Sequence, residues 1–349
     1  MIYRTFSLPI FFVIEKKIFS NLDNILKKNK LSLSSFLIIH GDFLEKNQGI
    51  KNHLIDNLKN VEFINIKKGY DINEIKKIIK NIDLIIAIGG GKTCDLGKII
   101  AFETFTPYII IPTLLSNDGI ASYVSIINNN GYKKIETNPP IGVIADIEII
   151  KNSDERHILA GIGDLISNIS ASLDWKLAHL KNKEELDIIS YSLSNNSAIQ
   201  IIFNWEIGKY KSIKDENFII DLFYALTNSA NAMTIYTSTR PSSGAEHNIS
   251  HALDISNSKE LHGIQTGFAT LFTIFLHKEE ELLYKIIEFY KKVNFPISFE
   301  KLNFSKEKFK EAVLKAPNIR NRYSILNKYS KENILKKLEE FFKLLENLK

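Results

Sequence analysis

The sequence predicts an α/β protein: an N-terminal nucleotide-binding domain on a parallel sheet, residues 1–150, then an all-helical domain, residues 151–349. Three observations predict it. Short Ile-rich runs alternate with amphipathic stretches over the first 150 or so residues, the pattern of a parallel sheet covered on both faces. From about Lys151 strand-like runs become scarce, and apolar residues three and four apart dominate to the C-terminus. A chain of 349 residues also exceeds one comfortable hydrophobic core and suits two.

The elements follow in order. The apolar run Leu8 to Ile14 comes after Arg4 and imitates a signal peptide. It is short, contains Pro9 and leads into Glu15-Lys16-Lys17 with no small-residue cleavage site, so it reads as a first strand. Ser35–His40, Glu62–Ile66, Leu84–Ile88, Tyr108–Ile111 and Gly142–Ala145 are strand-length and rich in Ile. Asp71–Asn81 and Thr93–Phe102 carry helical patterns among them. Ser153 or Asp154 suits the cap of the first C-terminal helix. The domain boundary is a shift in composition without a flexible linker. No internal repeat appears, and the Lys-rich tail reads as a solvated helix face.

Composition excludes several functions. Hydrophobic residues make up 44% and charged ones 24%, as in ordinary folded proteins. The net charge of +5 is spread over Lys alternating with Glu and Asp, so the basic stripe of a nucleic-acid binder is missing. Anionic small substrates remain compatible, and so does a homo-oligomer. Cys94 is the only cysteine, which rules out an internal disulfide or a Cys-based zinc site and suits a reducing cytoplasm. No stretch approaches the ~20 apolar residues of a membrane span.

Three motifs carry chemistry. Gly89-Gly90-Gly91-Lys92-Thr93 ends a buried strand and opens a helix, where backbone N–H groups and the helix dipole can meet a phosphate. It matches neither G-x-G-x-x-G nor a Walker loop, and its bland reading is a tight turn. One strand later, Pro112-Thr113-Leu-Leu-Ser116-Asn117-Asp118-Gly119-Ile-Ala-Ser122 packs hydroxyls, an amide and a carboxylate after a strand end. Alone it would pass for a polar loop. The third motif decides the reading. Glu246-His247-Asn-Ile-Ser-His251 sets two imidazoles four apart on one helix face, and His262 follows eleven residues later. A lone buried histidine is usually structural, but three within sixteen positions point to a metal. Upstream, Gly161-Ile-Gly163-Asp164 reads as the opening of a helix and offers a carboxylate, so an Asp/His/His set would hold a divalent ion with one position open.

With these segments in view, the chain resembles the sn-glycerol-1-phosphate dehydrogenases, within the wider superfamily of iron-type alcohol dehydrogenases, glycerol dehydrogenase and dehydroquinate synthase. The resemblance runs from Leu8-Pro9 through GGGK, PTLLSNDGIAS, AGIGDLISN, RPSSGAEHNISHALD and HGIQTG to KAPNIRNRYSIL, nearly the whole chain. It implies that Asp164, His247 and His262 are metal ligands, and that His251 and Asp118 are catalytic positions contacting substrate. It implies a dinucleotide site at Gly89, Gly90, Gly91, Lys92, Thr93, Cys94, Thr113, Ser116 and Ser122, with Asp42 near the adenosine. Iron-type alcohol dehydrogenases carry a fourth ligand, a histidine, four residues after the aspartate, where this chain has Asn168. Dehydroquinate synthases begin the ligand set with glutamate, where this chain has Asp164.

The resemblance therefore implies NAD(P) and one divalent metal ion as cofactors, with zinc first and nickel or iron as alternatives. The expected reaction is reduction of dihydroxyacetone phosphate to sn-glycerol 1-phosphate, in the cleft between the two domains. Oxidation of an unphosphorylated polyol, reduction of another phosphorylated ketone and non-catalytic nucleotide binding are the rivals. Lys92, Arg240, Arg320 and Arg322 are the candidate partners of a substrate phosphate.

Overall fold

The computed structural model describes residues 6–348 except 32, 69–74, 76 and 128–132. The chain forms two compact units. One runs to Leu115 and resumes at Gly119–Asp154; the other comprises Ser116–Asp118 and Glu155–Lys349.

In the first unit the strands are β1 (Phe11–Glu15), β2 (Phe36–His40), β3 (Val61–Asn65), β4 (Leu84–Gly89), β5 (Tyr108–Pro112) and β8 (Gly142–Asp146). They form one parallel sheet in the order β1-β8-β5-β4-β2-β3. Every residue of β2, β4, β5 and β8 is buried, while β1 and β3 at the edges are only partly so. That is why the inner strands read as unbroken apolar runs: helices cover both faces, and each fully buried Ile contributes about 1.5–3 kcal/mol. The covering helices are α1 (Leu22–Lys28), α2 (Asp42–Lys46), α3 (Gln48–Asn57), α4 (Gly91–Thr104) and α5 (Ile147–Lys151). A hairpin of β6 (Val124–Ile127) and β7 (Lys133–Glu136) was not expected from the sequence. Of the expected helix at 71–81, residues 71–74 and 76 lie outside the described residues, and Ile79–Asn81 form a 3-10 turn.

The sheet order has a functional consequence. From β2 the chain moves outward to β3, then crosses back to β4 and continues the other way to β5. β2 and β4 are neighbours whose connections leave in opposite directions. Open α/β sheets bind ligands outside the carboxyl ends of such a strand pair.

The second unit is helical: α6 (Glu155–Asn182), α7 (Ile188–Glu206), α8 (Glu216–Tyr236), α9 (Ala245–Ile255), α10 (His262–His277), α11 (Glu280–Lys292), α12 (Lys306–Lys315) and α13 (Lys331–Asn347). α6 is buried along most of its length and crosses α10 closely. Glycines make the crossing possible. A Cβ on Gly163 would collide with Gly263 O, one on Gly263 with Ala160 O, and one on Gly267 with Gly163 Cα. Asp164 therefore does not open a helix, as its sequence context suggested. It lies inside α6, and the glycines beside it serve helix contact rather than a helix start. Among the described residues no helix is long and apolar enough to cross a membrane.

Candidate metal centre and nucleotide-binding edge

Three helices of the second unit bring the histidines and Asp164 together. α9 presents His247 and His251 one turn apart, α10 opens with His262, and α6 supplies Asp164. The imidazole centroids are 5.1 Å apart for His247–His262, 5.7 Å for His251–His262 and 6.3 Å for His247–His251. Nε2 of His247 and Nε2 of His262 each stand 3.7 Å from Asp164 Oδ1. That is too long for a hydrogen bond. It is close to the ~3.3 Å separating two ligands that each sit ~2.0–2.1 Å from a tetrahedral ion.

Neighbouring groups aim these Nε2 atoms. His247 Nδ1 donates to Glu246 Oε1 at 2.9 Å, and Glu246 is fixed in turn by Ser170 Oγ at 2.8 Å and Gly244 N at 2.5 Å. Ser250 Oγ gives its only hydrogen to Gln265 Oε1 at 2.5 Å, so toward His262 Nδ1, at 2.9 Å, it can only accept. Both rings thus carry their proton on Nδ1 and turn a lone pair on Nε2 toward Asp164. The start of α10 is anchored by Glu260, which pairs with Arg156 at 2.5 Å and accepts from Leu261 N at 2.9 Å.

The electrostatics point the same way. Burial, then His247 and Arg320, depress His262 to about 3. Burial, then the cations around it led by Arg320, hold His251 well below the usual imidazole range. Burial and the negative Asp118 push Asp164 well above the carboxylate range, against one hydrogen bond from the Asp118 N–H. Burial also raises Glu246, but its contact with His247, then the bonds from Gly244 N and Ser170 Oγ, outweigh this and leave it below its ordinary value. The Nε2 atoms of His247 and His262 face a buried carboxyl whose charged form burial and Asp118 disfavour. A divalent cation supplies what that donor set needs. A second grouping, His251, Asp254 and His262, also lies within metal-binding reach. It shares His262, which has only Nε2 left to give.

Asp118 reaches the same cluster. Its N–H donates to Asp164 Oδ2 at 2.9 Å, and its Oδ2 accepts from Ser229 Oγ at 2.8 Å. Asn168 donates to Ser229 Oγ at 2.9 Å and to Ser194 O at 3.4 Å, so it supports Asp118 from one helical turn past Asp164.

In the first unit the expected nucleotide residues gather at the carboxyl ends of β2, β4 and β5. Gly90 is the N-cap of α4, Thr93 N and Cys94 N both return to Gly90 O, and Gly91 and Lys92 are exposed at the tip. A Cβ on Gly89 would clash with the Thr93 side chain at 2.6 Å, whereas one on Gly91 would meet nothing within 4 Å. The Gly91 backbone is therefore open to a ligand. Thr113 N donates to Gly89 O at 3.0 Å, which ties the β5 end to the turn. Asp42 begins α2 just beyond β2 and pairs with Lys67 at 3.2 Å. Two residues point elsewhere. Cys94 is buried, 3.6 Å from Gly89 O, with its thiol pushed up to about 12 by burial; Ser122 is buried beside Lys98 and donates to Val124 O at 3.2 Å. Ser116 lies in the second unit.

Comparison with known proteins places the chain in a family. The profile of iron-containing alcohol dehydrogenases matches residues 13–153. A glycerol-1-phosphate dehydrogenase, NAD(P)+, from Methanococcus aeolicus is 38% identical over 346 residues, covering 95% of this chain and 98% of that protein. The enzyme of the same name from Pyrococcus horikoshii is 38% identical over 328 residues, covering 90% and 92%. The chain belongs to the glycerol-1-phosphate dehydrogenase family. Its fold matches glycerol dehydrogenase from Schizosaccharomyces pombe, with a TM-score of 0.77 at 20% identity over 99% of this chain and 92% of that one. It also matches sulfoacetaldehyde reductase from Bifidobacterium kashiwanohense in complex with NAD+, with a TM-score of 0.71 at 15% identity over 99% of each chain.

Sequence reasoning missed the residues of this family member that orient the histidines. Glu246 is adjacent to His247 in the quoted motif, but nothing in the spacing shows that its carboxylate turns back to Nδ1. Ser250, Gln265 and Ser170 gave no signal, because their partners lie on other helices.

Proposed function

We propose that this chain catalyses the reversible reduction of dihydroxyacetone phosphate to sn-glycerol 1-phosphate with NAD(P)H, using one divalent cation held by Asp164, His247 and His262. The observation that carries the reading is the convergence of those three donors, with both histidine Nδ1 atoms spent elsewhere, in a member of the glycerol-1-phosphate dehydrogenase family. Two neutral nitrogens and one carboxylate oxygen suit zinc first, with nickel or iron as alternatives. The bound cation would polarise the ketone while the nicotinamide supplies hydride.

The chain's own residues do the rest. Asp164 and the two Nε2 atoms form the cation's seat. Asp118, held by Ser229, contacts the substrate's hydroxyl end. His251 is buried and neutral, so it can exchange a hydrogen bond or a proton with the oxygen that becomes the alcohol. The glycine turn at Gly89–Gly91 and the α4 N-terminus receive the dinucleotide phosphates, with Thr113 steadying the turn. Residues 1–150, apart from Asp118, thus take the nucleotide role and residues 151–349 the metal and substrate role. A buried, free Cys94 suits work in a reducing cytoplasm.

A substrate panel on metal-analysed protein tests the reading. Dihydroxyacetone phosphate should exceed dihydroxyacetone more than ~100-fold in kcat/KM, about 3 kcal/mol, a difference within reach of charge-assisted contacts. Equal values for the two ketones would reassign the chain to polyol oxidation.

A further inference from the structure

We infer that Asp174 is a positioning residue for the cation's seat: it ties the two helices that carry the histidine ligands to the helix that carries Asp164. The inference rests on the metal reading above. Asp174 lies on α6, ten residues past Asp164 and about 15 Å further along the axis. It is 0% exposed, and no step of the proposed reaction uses it. A buried carboxylate is costly unless its oxygens are well met, so its partners show what it is held for.

Those partners are the ends of the ligand helices. Oδ2 accepts from Ala245 N at 2.7 Å, and Oδ1 accepts from Ile325 N at 2.7 Å and from His277 Nε2 at 2.9 Å. Ala245 is the first residue of α9, two before His247. His277 is the last residue of α10, the helix that opens with His262. One side chain on α6 therefore holds the front of α9 and the back of α10. The chain entering α9 is shaped to it. A Cβ on Gly244 would meet Asp174 Oδ2 at 2.8 Å and Glu246 Oε2 at 2.9 Å, so the bare glycine lets both carboxylates close over the start of that helix.

Helices are stiff, and that turns these bonds into a constraint on the donors. The glycine crossing fixes α10 to α6 near its first turns, where a single contact would still allow it to pivot. His277 holds the other end, about 22 Å from His262 along the axis. α9 has only eleven residues, and its first turn puts Ala245 on Asp174 and His247 toward Asp164. Both links end on α6, so Asp164, His247 and His262 hold their spacing before an ion arrives. Such preorganisation lowers the cost of binding. The junction needs a carboxylate. Three donors converge on two oxygens that only accept, and an amide would turn its own N–H groups on at least one of them.

The test compares full-length variants by zinc affinity in chelator competition, by the visible absorption of Co²⁺ loaded in place of zinc, by NADH affinity and by Tm. Asp174→Asn should lower zinc affinity about 10-fold or more and shift the Co²⁺ bands, with NADH affinity unchanged. His277→Leu should move both readouts in the same direction by less. His277→Gln, whose Nε2 can donate to the same oxygen, should restore them to wild-type values. The His277 side chain is 9% exposed, at the rim of the junction, so this pair decides the outcome even where Asp174→Asn does not fold. Phe218→Leu trims the packing on Trp205 and Tyr210, away from α6, α9 and α10. It should lower Tm and leave zinc affinity and the Co²⁺ bands as in the wild type. Wild-type affinity and bands in folded His277→Leu and Asp174→Asn would overturn the inference and leave the metal reading standing. An equal loss of zinc in Phe218→Leu would overturn it too, by making the effect one of stability alone. Wild-type protein that binds neither zinc nor Co²⁺ would overturn the metal reading itself, and this inference with it.

Discussion

The glycine turn after β4 and the histidine cluster on α9 and α10 are both candidate sites, yet they are built on opposite principles. The turn works by absence. Gly89 has no room for a Cβ and Gly91 has nothing around it, so the backbone itself is the surface offered to a ligand. The cluster works by crowding. His247 and His262 are aimed by Glu246 and Ser250, which Ser170 and Gln265 hold in turn. A backbone site depends on a few consecutive residues. A side-chain site depends on a network that spans the unit, so damage to it should be larger and should spread further.

The largest expected effect lies on the crowded side. Asp164→Ala or His262→Ala should empty the metal site and lower turnover on the order of 10³-fold or more, while NADH still binds. Metal-free wild-type protein should behave alike and recover with Zn²⁺ or Ni²⁺. Full activity in protein shown metal-free by elemental analysis would break the comparison outright.

Next comes His251→Ala, which should keep the metal and lose roughly 10²-fold or more in kcat, the scale of a proton-transfer contribution. Loss of the ion in this variant would move His251 into the ligand set. Ser250→Ala touches neither ion nor substrate in the proposed arrangement. By freeing the His262 ring it should weaken metal affinity about 10- to 100-fold, as substitutions behind a ligand do. An unchanged affinity in a competitive chelator titration would show that the ring needs no support.

On the open side, Gly91→Val should weaken dinucleotide binding roughly tenfold, about 1.4 kcal/mol, with metal content unaltered. The open space around Gly91 predicts a folded variant. Unchanged NADH affinity would remove the turn from the cofactor site.

The smallest effect concerns the far end of α9. Burial pushes Asp254 up to about 6 from its ordinary 3.8, so the folded chain holds that proton more tightly than the unfolded chain does. Its stabilising contribution is complete at low pH and is lost as pH rises through about 6. Asp254→Asn keeps an acceptor for Gln265 Nε2 and removes the charge. It should raise Tm by roughly 2–4 °C at pH 8 and leave it unchanged at pH 4. An equal gain at both pH values would mean that the charge is not the cause.

The sequence by itself determined the fold class and the family. Fully buried parallel strands have to be apolar runs, so the segments at 35–40, 84–88, 108–111 and 142–145 stood out at strand length, within a residue of the observed ends, and glycines before a helix marked the turn. Four-residue spacing on α9 likewise set His247 and His251 on one face without any knowledge of the tertiary fold. The hairpin of β6 and β7 escaped because two four-residue strands carry too little periodicity to read. Only the tertiary structure decided why Asp164 can stand 3.7 Å from both His247 and His262. The reason is the close crossing of α6 and α10 through Gly163, Gly263 and Gly267, positions whose pairing spans about a hundred residues. It also decided which neighbours each arginine meets. Arg240 and Arg322 look alike in sequence, and their roles are set by partners such as Glu184 and Ser243 that come close only when the chain folds.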